Sequence, residues 1–241
     1  MILKHDMNER ERYFFDNIII KEEDVVRAKR AIYSKGIEKH INILDMLKVW
    51  GMGEKVPYEY IASFYRYDKR LRKALFVYIS YLEEYYRSII LDNFKFRVDE
   101  LKPFYSLKKE FNKSHDLDKA LEKMEFSHLI RQVRCIRKSI IGHFVFPNDI
   151  HLSKNISALI ELRNSVMHNR LLLLYRGFKE CYIENASIKS ATLKDNILNL
   201  ISFLPPEVRD KCKKEINSCL EEKNNDGKTE WKVPPMTIII V

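Results

Sequence analysis

Arg163, Asn164 and His168 stand within six residues of one another in the stretch Leu159-Ile160-Glu161-Leu162-Arg163-Asn164-Ser165-Val166-Met167-His168-Asn169-Arg170, which is otherwise largely apolar. On a helix, Asn164 and His168 are i, i+4 neighbours and can touch. Arg163 and His168 are five apart, about 140° around an ideal helix, and the long Arg arm can still reach a phosphate held beside the imidazole. An Arg that neutralises phosphate, an Asn that orients and a His that moves a proton near neutral pH are suitable parts for cutting RNA without a metal. The same residues also suit a plainer role, a His packed at a helix–helix contact with Asn as its partner.

Other short signatures are missing. The sequence has no HExxH, no Cys/His set at zinc spacing, no Gly-rich phosphate loop and no GxSxG, so neither a metal nor a cofactor is expected. Arg137 and His143 repeat the Arg-to-His spacing, but Lys138 stands where the first copy has Asn, and the segment runs into Gly142; it reads as a decoy. The four cysteines, at 135, 181, 212 and 219, form no CxxC pair, which predicts reduced thiols. Cys212 and Cys219 share a helix face, where packing is the expected role.

The net charge is +9, and its position is informative. Between Ser127 and Arg176 lie eight cations against only Asp149 and Glu161, so this window carries +6 of the total. Such a concentration is the electrostatic footprint of a polyanion partner. Arg131, Arg134, Arg137, Lys138 and Arg170 are the candidates to grip an RNA backbone, with a solvated helical face as the alternative for the first four. Trp50 and the tyrosines between 58 and 86 could stack on bases, although most of them keep the spacing of a core.

The elements that must position these residues are helices. Gly and Pro together make 13 residues, where average usage of about 12% would give about 29; few turns mean few, long elements. Residues 8–34 read as one charged helix, broken by Gly36. A second runs from Ile37 to Lys48 and ends at Gly51-Met52-Gly53. Pro57 opens the longest uninterrupted stretch, 58–102, in which Leu71, Leu75, Ile79, Leu82, Tyr86 and Ile90 follow the i, i+3, i+4, i+7 pattern. Short helices are expected over 115–123, capped by Ser114 or Asp116, and over 126–141. A second long helix is expected over 152–176 with Gly177 as its C-cap, packed antiparallel to 71–90. Two more follow at 189–204 and 206–222, parted by Pro205-Pro206. The end, 236–241, is either a strand or an apolar tail that docks. Hydrophobic residues at 46% exclude a disordered chain, and no apolar run approaches the roughly 18 residues of a membrane span. Met1-Ile2-Leu3 lacks the apolar core of a signal peptide. No membrane association and a cytoplasmic location are therefore expected.

Arg163 to His168 resembles the R-x4-6-H motif of HEPN-domain ribonucleases in its Arg-Asn-x3-His form. The surrounding sequence sharpens the resemblance. Phe64-Tyr65-Arg66-Tyr67-Asp68-Lys69-Arg70-Leu71-Arg72, continuing through Leu82-Glu83-Glu84-Tyr85-Tyr86-Arg87-Ser88, is similar to the first HEPN helix of Abi-like (abortive infection) proteins. Met124-Glu125-Phe126-Ser127-His128-Leu129 stands where that family has its middle helix, and Leu162 to Leu171 resembles its closing signature. The likeness spans roughly residues 38–220; Met167 departs from the Ala common before the His, and residues 1–35 and 237–241 have no counterpart.

The resemblance implies an all-α fold, a HEPN-type helical bundle at 58–222 with an N-terminal helical extension at 1–57 and a tail at 223–241. It implies a metal-independent endoribonuclease of phage defence or toxin type, acting at a site shared by two chains of a homodimer. Arg163, Asn164 and His168 would be catalytic. RNA would be the substrate, a bound non-coding RNA a further partner, and an antitoxin a conceivable one. Glu83 and Arg87 match the family's Glu-x3-Arg, either as a structural ion pair or as a pair that orients the site. A silent RNA-binding HEPN protein and a helical scaffold for a protein partner are the competing readings.

Overall fold

The computed structural model describes residues 7–95, 105–132, 149–183, 189–221 and 233–241. The architecture is all-α, as composition predicts, with two two-residue strand pairs as its only sheet among these residues. None of the helices described is long and apolar enough to cross a membrane. The chain divides into two compact units, one of Met1–Leu71 with Cys219–Ile238, the other of Arg72–Ser218 with Ile239–Val241.

In the first unit the expected single helix over 8–34 is in fact broken. Helix α1 (Glu9–Asp16) starts on a reciprocal cap: Asn8 Oδ1 accepts from Glu11 N, and Glu11 Oε2 accepts from Asn8 N, both at 2.9 Å. It stops at Asn17, because Ile18 and Ile19 take an extended conformation as β1. Three consecutive isoleucines suit a strand better than a helix, since the branched side chains crowd the preceding helical turn. A single 3₁₀ turn, Glu22–Asp24, leads into α2 (Val25–Lys35). Gly36, at φ +91°, turns the chain into α3 (Ile37–Val49), whose buried face is Ile41, Ile43, Leu44 and Leu47. Strand β2 (Val56–Pro57) then pairs in parallel with β1, Ile18 beside Val56 and Ile19 beside Pro57. Phe14, Ile32, Phe64 and Tyr67 complete this core.

Helix α4 (Tyr58–Phe94) is the longest element, as its pattern predicts. Its residues up to Leu71 belong to the first unit and those from Arg72 to the second. In the second unit, α5 (Tyr105–Ser114) is an element the sequence reading missed, and Ser114 ends it; Asp116 is the cap of α6 (Leu117–Glu122), accepting from the N–H groups of Asp118 and Lys119. Helix α7 (Phe126–Arg131) packs on α8 (Asp149–Met167). Most of the expected 126–141 helix lies outside the described residues. A short antiparallel pair, β3 (Cys181–Tyr182) and β4 (Lys189–Ser190), precedes α9 (Leu193–Phe203) and α10 (Pro206–Ser218).

Buried polar side chains knit this unit together. Asn155 of α8 donates to Tyr182 O and accepts from Tyr182 N, each at 2.8 Å, while Asn199 of α9 donates to Asn155 O at 2.9 Å. Tyr86 donates to Phe203 O at 3.0 Å from a fully buried position. Buried polar groups are mostly hydrogen-bonded, and although Asn199 Oδ1 itself has no partner, these bonds hold α8 against the hairpin and α9. The chain end is not a strand; of the two expectations it follows the docked tail, held by polar contacts as well as apolar ones. Pro235–Thr237 is a 3₁₀ turn, Ile240 is exposed, and Val241 exchanges two 3.0 Å hydrogen bonds with the Asn217 side chain. Cys181, Cys212 and Cys219 are free and buried, and burial pushes the thiols of Cys181 and Cys212 up to about 12. Cys135 lies outside the described residues.

Candidate functional site

Helix α8 stops at Met167, nine residues short of the expected end at 176. Its last turn is closed by two backbone bonds, Arg170 N to Ser165 O and Asn169 N to Val166 O, each 3.1 Å. Between them Asn169 takes φ +53°, in the left-handed region. This is the closure usually given to glycine; Asn tolerates the conformation better than other side chains do. Gly177 therefore caps nothing. His168 is the last residue of the turn, its N–H still bonded to Asn164 O at 2.9 Å. Leu171, Leu172 and Leu173 are buried as their composition implies, but outside a helix.

Two things hold this end in place. Arg72 of α4, 6% exposed, donates to Asn169 Oδ1 at 2.9 Å. On the other side, Arg170 donates to Glu161 at 2.6 Å, to the Tyr175 hydroxyl at 2.7 Å and to Ser165 at 3.3 Å, with its guanidinium 4.7 Å from the Tyr175 ring centre. Tyr175 in turn donates to Glu161, which together with burial raises its phenol above the ordinary value. Gly177 has its role here: a Cβ at this position would collide with the Tyr175 hydroxyl.

Arg163 and Asn164 face a different environment. They line a cavity of about 560 Å³ together with Glu83, Arg87, Glu122, Lys123 and the segment from Met124 to Ser127. Helices α4 and α8 pass in opposite senses, as expected. Arg72 meets Asn169 at one level, whereas Glu83 and Arg87 share the cleft with Arg163 and Asn164 further along.

The two arginines of this cleft differ. Arg87 donates to Glu83 at 2.7 Å, to Leu121 O at 3.1 Å and to Met124 O at 3.3 Å. It thereby clamps the α6–α7 turn to α4 while lining the cleft with Glu83. Arg163 lies with its guanidinium 5.7 Å from the Phe126 ring centre and makes one long contact, 3.5 Å, to Asn164 Oδ1. Its Nε is buried and has no acceptor, and among the described residues no carboxylate pairs with it. A buried guanidinium N–H without a partner is costly, and a phosphate oxygen is the kind of acceptor that fits its planar fork.

His168 is exposed and is not among the residues lining this cleft. The structure thus brings Arg163, Asn164, Glu83 and Arg87 to one cavity and leaves His168 one turn beyond, open to solvent. Of the expected RNA-gripping set, Arg131 is exposed at the end of α7, Arg170 is tied to Glu161, and Arg134, Arg137 and Lys138 lie outside the described residues, as does the decoy His143. The sequence reading missed Phe126 as the platform of Arg163 and Arg72 as the support of Asn169. Phe126 falls inside the segment singled out by resemblance; nothing in the spacing marks Arg72. Among the described residues no group of three His, Cys, Asp or Glu side chains is placed to hold a metal ion. No protein-family model, no curated protein and no solved structure matches the chain.

Proposed function

We propose that the protein is a metal-independent endoribonuclease of the HEPN type, acting in phage defence or as a toxin, with Arg163, Asn164 and His168 as its catalytic residues. One observation supports this reading: Arg163 lines the cleft with a buried Nε–H that has no acceptor, and no carboxylate forms an ion pair with it among the described residues. Cleavage proceeds by attack of a ribose 2′-OH on the adjacent phosphate. That step needs a base to take the hydroxyl proton, an acid to protonate the leaving 5′-oxygen, and a cation to carry the developing charge. Arg163 supplies the charge and Asn164 orients. One chain offers one exposed His at the site, so the acid–base pair comes from two chains, each presenting His168 to the other. The products are a 2′,3′-cyclic phosphate and a 5′-OH, and DNA, lacking the nucleophile, is spared.

A second reading, an RNA-binding protein that does not cut, draws on the position of His168 outside the cleft of its own chain. Single-turnover cleavage of a labelled RNA separates the two. His168→Ala should lower the rate by about 10²–10⁴-fold, the usual cost of losing a general acid or base. His143→Ala should be silent, and chelator should have no effect. Equal behaviour of the two His variants, or activity lost to chelator, overturns the assignment. Sedimentation at micromolar concentration should show a dimer, at least with RNA present.

A further inference from the structure

We propose that a second cavity, built wholly within the first unit, binds a nucleoside monophosphate. It measures about 570 Å³, inside the range of roughly 300–1,000 Å³ typical of small-molecule sites. Its walls come from β1 and the chain after it, from α2, from His40 of α3, and from Pro57 and the start of α4. Ala28, Ala31 and Ala62 line it where larger side chains would fill it. The site is independent of RNA cleavage at the Arg163 cleft.

Three features select the ligand. The first is aromatic. The His40 ring lies nearly parallel to Tyr65, 4° apart with centres at 5.3 Å, and close to parallel with Tyr58 at 6.3 Å. All three line the cavity, and such surfaces receive a flat ring.

The second is a hydrogen-bond acceptor. His40 Nδ1 lies 2.9 Å from Gly36 O, so it carries the proton and donates there. Burial keeps the ring neutral by pulling its pKa down. Nε2 is then a bare acceptor, and among the described residues nothing donates to it. The amino or ring N–H of a nucleobase is the complement.

The third is charge. Lys21, Arg27, Lys35 and Arg66 line the cavity against Asp24 and Glu59. Lys35 is half-buried with its ammonium 5.2 Å from the Tyr65 ring centre, and it makes no ion pair among the described residues. Burial first, and then the nearby cations Lys69, Arg66 and Arg27, pull its pKa down. Like charges gathered in a partly dry site repel until an anion joins them. A phosphate monoester, with a charge of about −1.5 to −2 near neutral pH, balances the cationic excess of the lining. An aliphatic acid would satisfy the cations but leave the ring stack and Nε2 unused.

The test is calorimetric titration of the full chain with AMP, GMP, CMP and UMP, with adenosine, inorganic phosphate and laurate as controls. At least one nucleotide should saturate one site per chain, with nucleoside and phosphate alone each at least about tenfold weaker. Lys35→Glu, at a half-buried position, and Arg27→Glu, at an exposed one, should each weaken binding about tenfold or more, as expected for losing a charge-assisted contact, with unchanged circular dichroism. Arg163→Ala should leave nucleotide binding intact, which separates this cavity from the cleft. A free nucleotide and one nucleotide of an RNA strand present the same chemistry. A short oligoadenylate distinguishes them, and Lys35-dependent binding of either supports the site. No saturable nucleotide binding in the millimolar range, binding indifferent to both charge reversals, or laurate binding in preference to every nucleotide overturns it.

Discussion

The two faces of helix α8 near its C-terminal end carry the same kinds of residue and treat them in opposite ways. On one face, Arg170, Glu161, Ser165 and Tyr175 satisfy one another in a closed set of hydrogen bonds. On the other, Arg163 rests on Phe126 with a buried N–H that nothing among the described residues accepts; His168, about 140° around the helix from Arg163, projects into solvent. Counting charge along the sequence gives both arginines equal weight. On the closed face the guanidinium is paired with a carboxylate; on the open face Glu83, Glu122 and Glu125 line the cleft, but among the described residues none of them pairs with Arg163, which is left to recruit an anion from outside. A cation marks a binding site when the fold has not already neutralised it.

That contrast can be broken most directly at the arginines. Arg163→Ala should lower single-turnover RNA cleavage by about 10²–10³-fold, the usual cost of losing a group that stabilises developing charge, and should leave the melting temperature nearly unchanged. Arg170→Ala should do the reverse, melting earlier while cleaving within about threefold of wild type. A similar loss of cleavage from both would show that the two faces act as one.

Gly177→Ala tests the closed face alone. The new methyl group must displace the Tyr175 hydroxyl, and such overpacking costs about 1–3 kcal/mol, readable by chemical denaturation; the companion change Tyr175→Phe should recover part of the loss.

Asn169→Ala comes next, at about 1–2 kcal/mol for a left-handed residue without a tolerant side chain. Asn169→Gly should cost less, limited to the bond from Arg72. Smallest is Arg131→Glu on the exposed end of α7. It should weaken RNA binding a few-fold and reduce the salt slope by about one to two charges' worth, without touching stability.

The same helix end shows what could be read from sequence. Helix α3 was legible because Gly36 and Gly51 bracket it and its apolar spacing is regular. The end of α8 was not. Asn169 closes the turn in the place where glycine is expected, and the leucines that follow continue an apolar run after the backbone has left the helix. Residues 8–34 misled in the opposite way: charges at helical spacing on both sides concealed the three isoleucines that leave the helix.

At the site, spacing alone placed Asn164 one turn before His168. It could not show that Arg163 enters a cleft while His168 stays outside, because that depends on where α4 and α7 lie. Nor could it tell Arg87, saturated by two carbonyls and Glu83, from Arg163. Acceptors on the α6–α7 turn are far away in sequence. The cleavage assays decide the proposed chemistry.

The small parallel pair in the first unit has a consequence for solubility. Ile18-Ile19-Ile20 is the most strand-prone run in the described N-terminal region, and an exposed strand of this kind is a template on which other chains can add. Val56 donates its N–H inward, to Asn17 O at 3.0 Å. The next nitrogen along β2, which alternation turns toward the outer edge, belongs to Pro57 and has no hydrogen to offer. On the β1 side, Lys21, Glu22 and Glu23 follow the isoleucines at once. The pair is thus ended chemically on one edge and guarded by charge beside the other, so a segment that would otherwise seed aggregation is confined to a single two-residue contact.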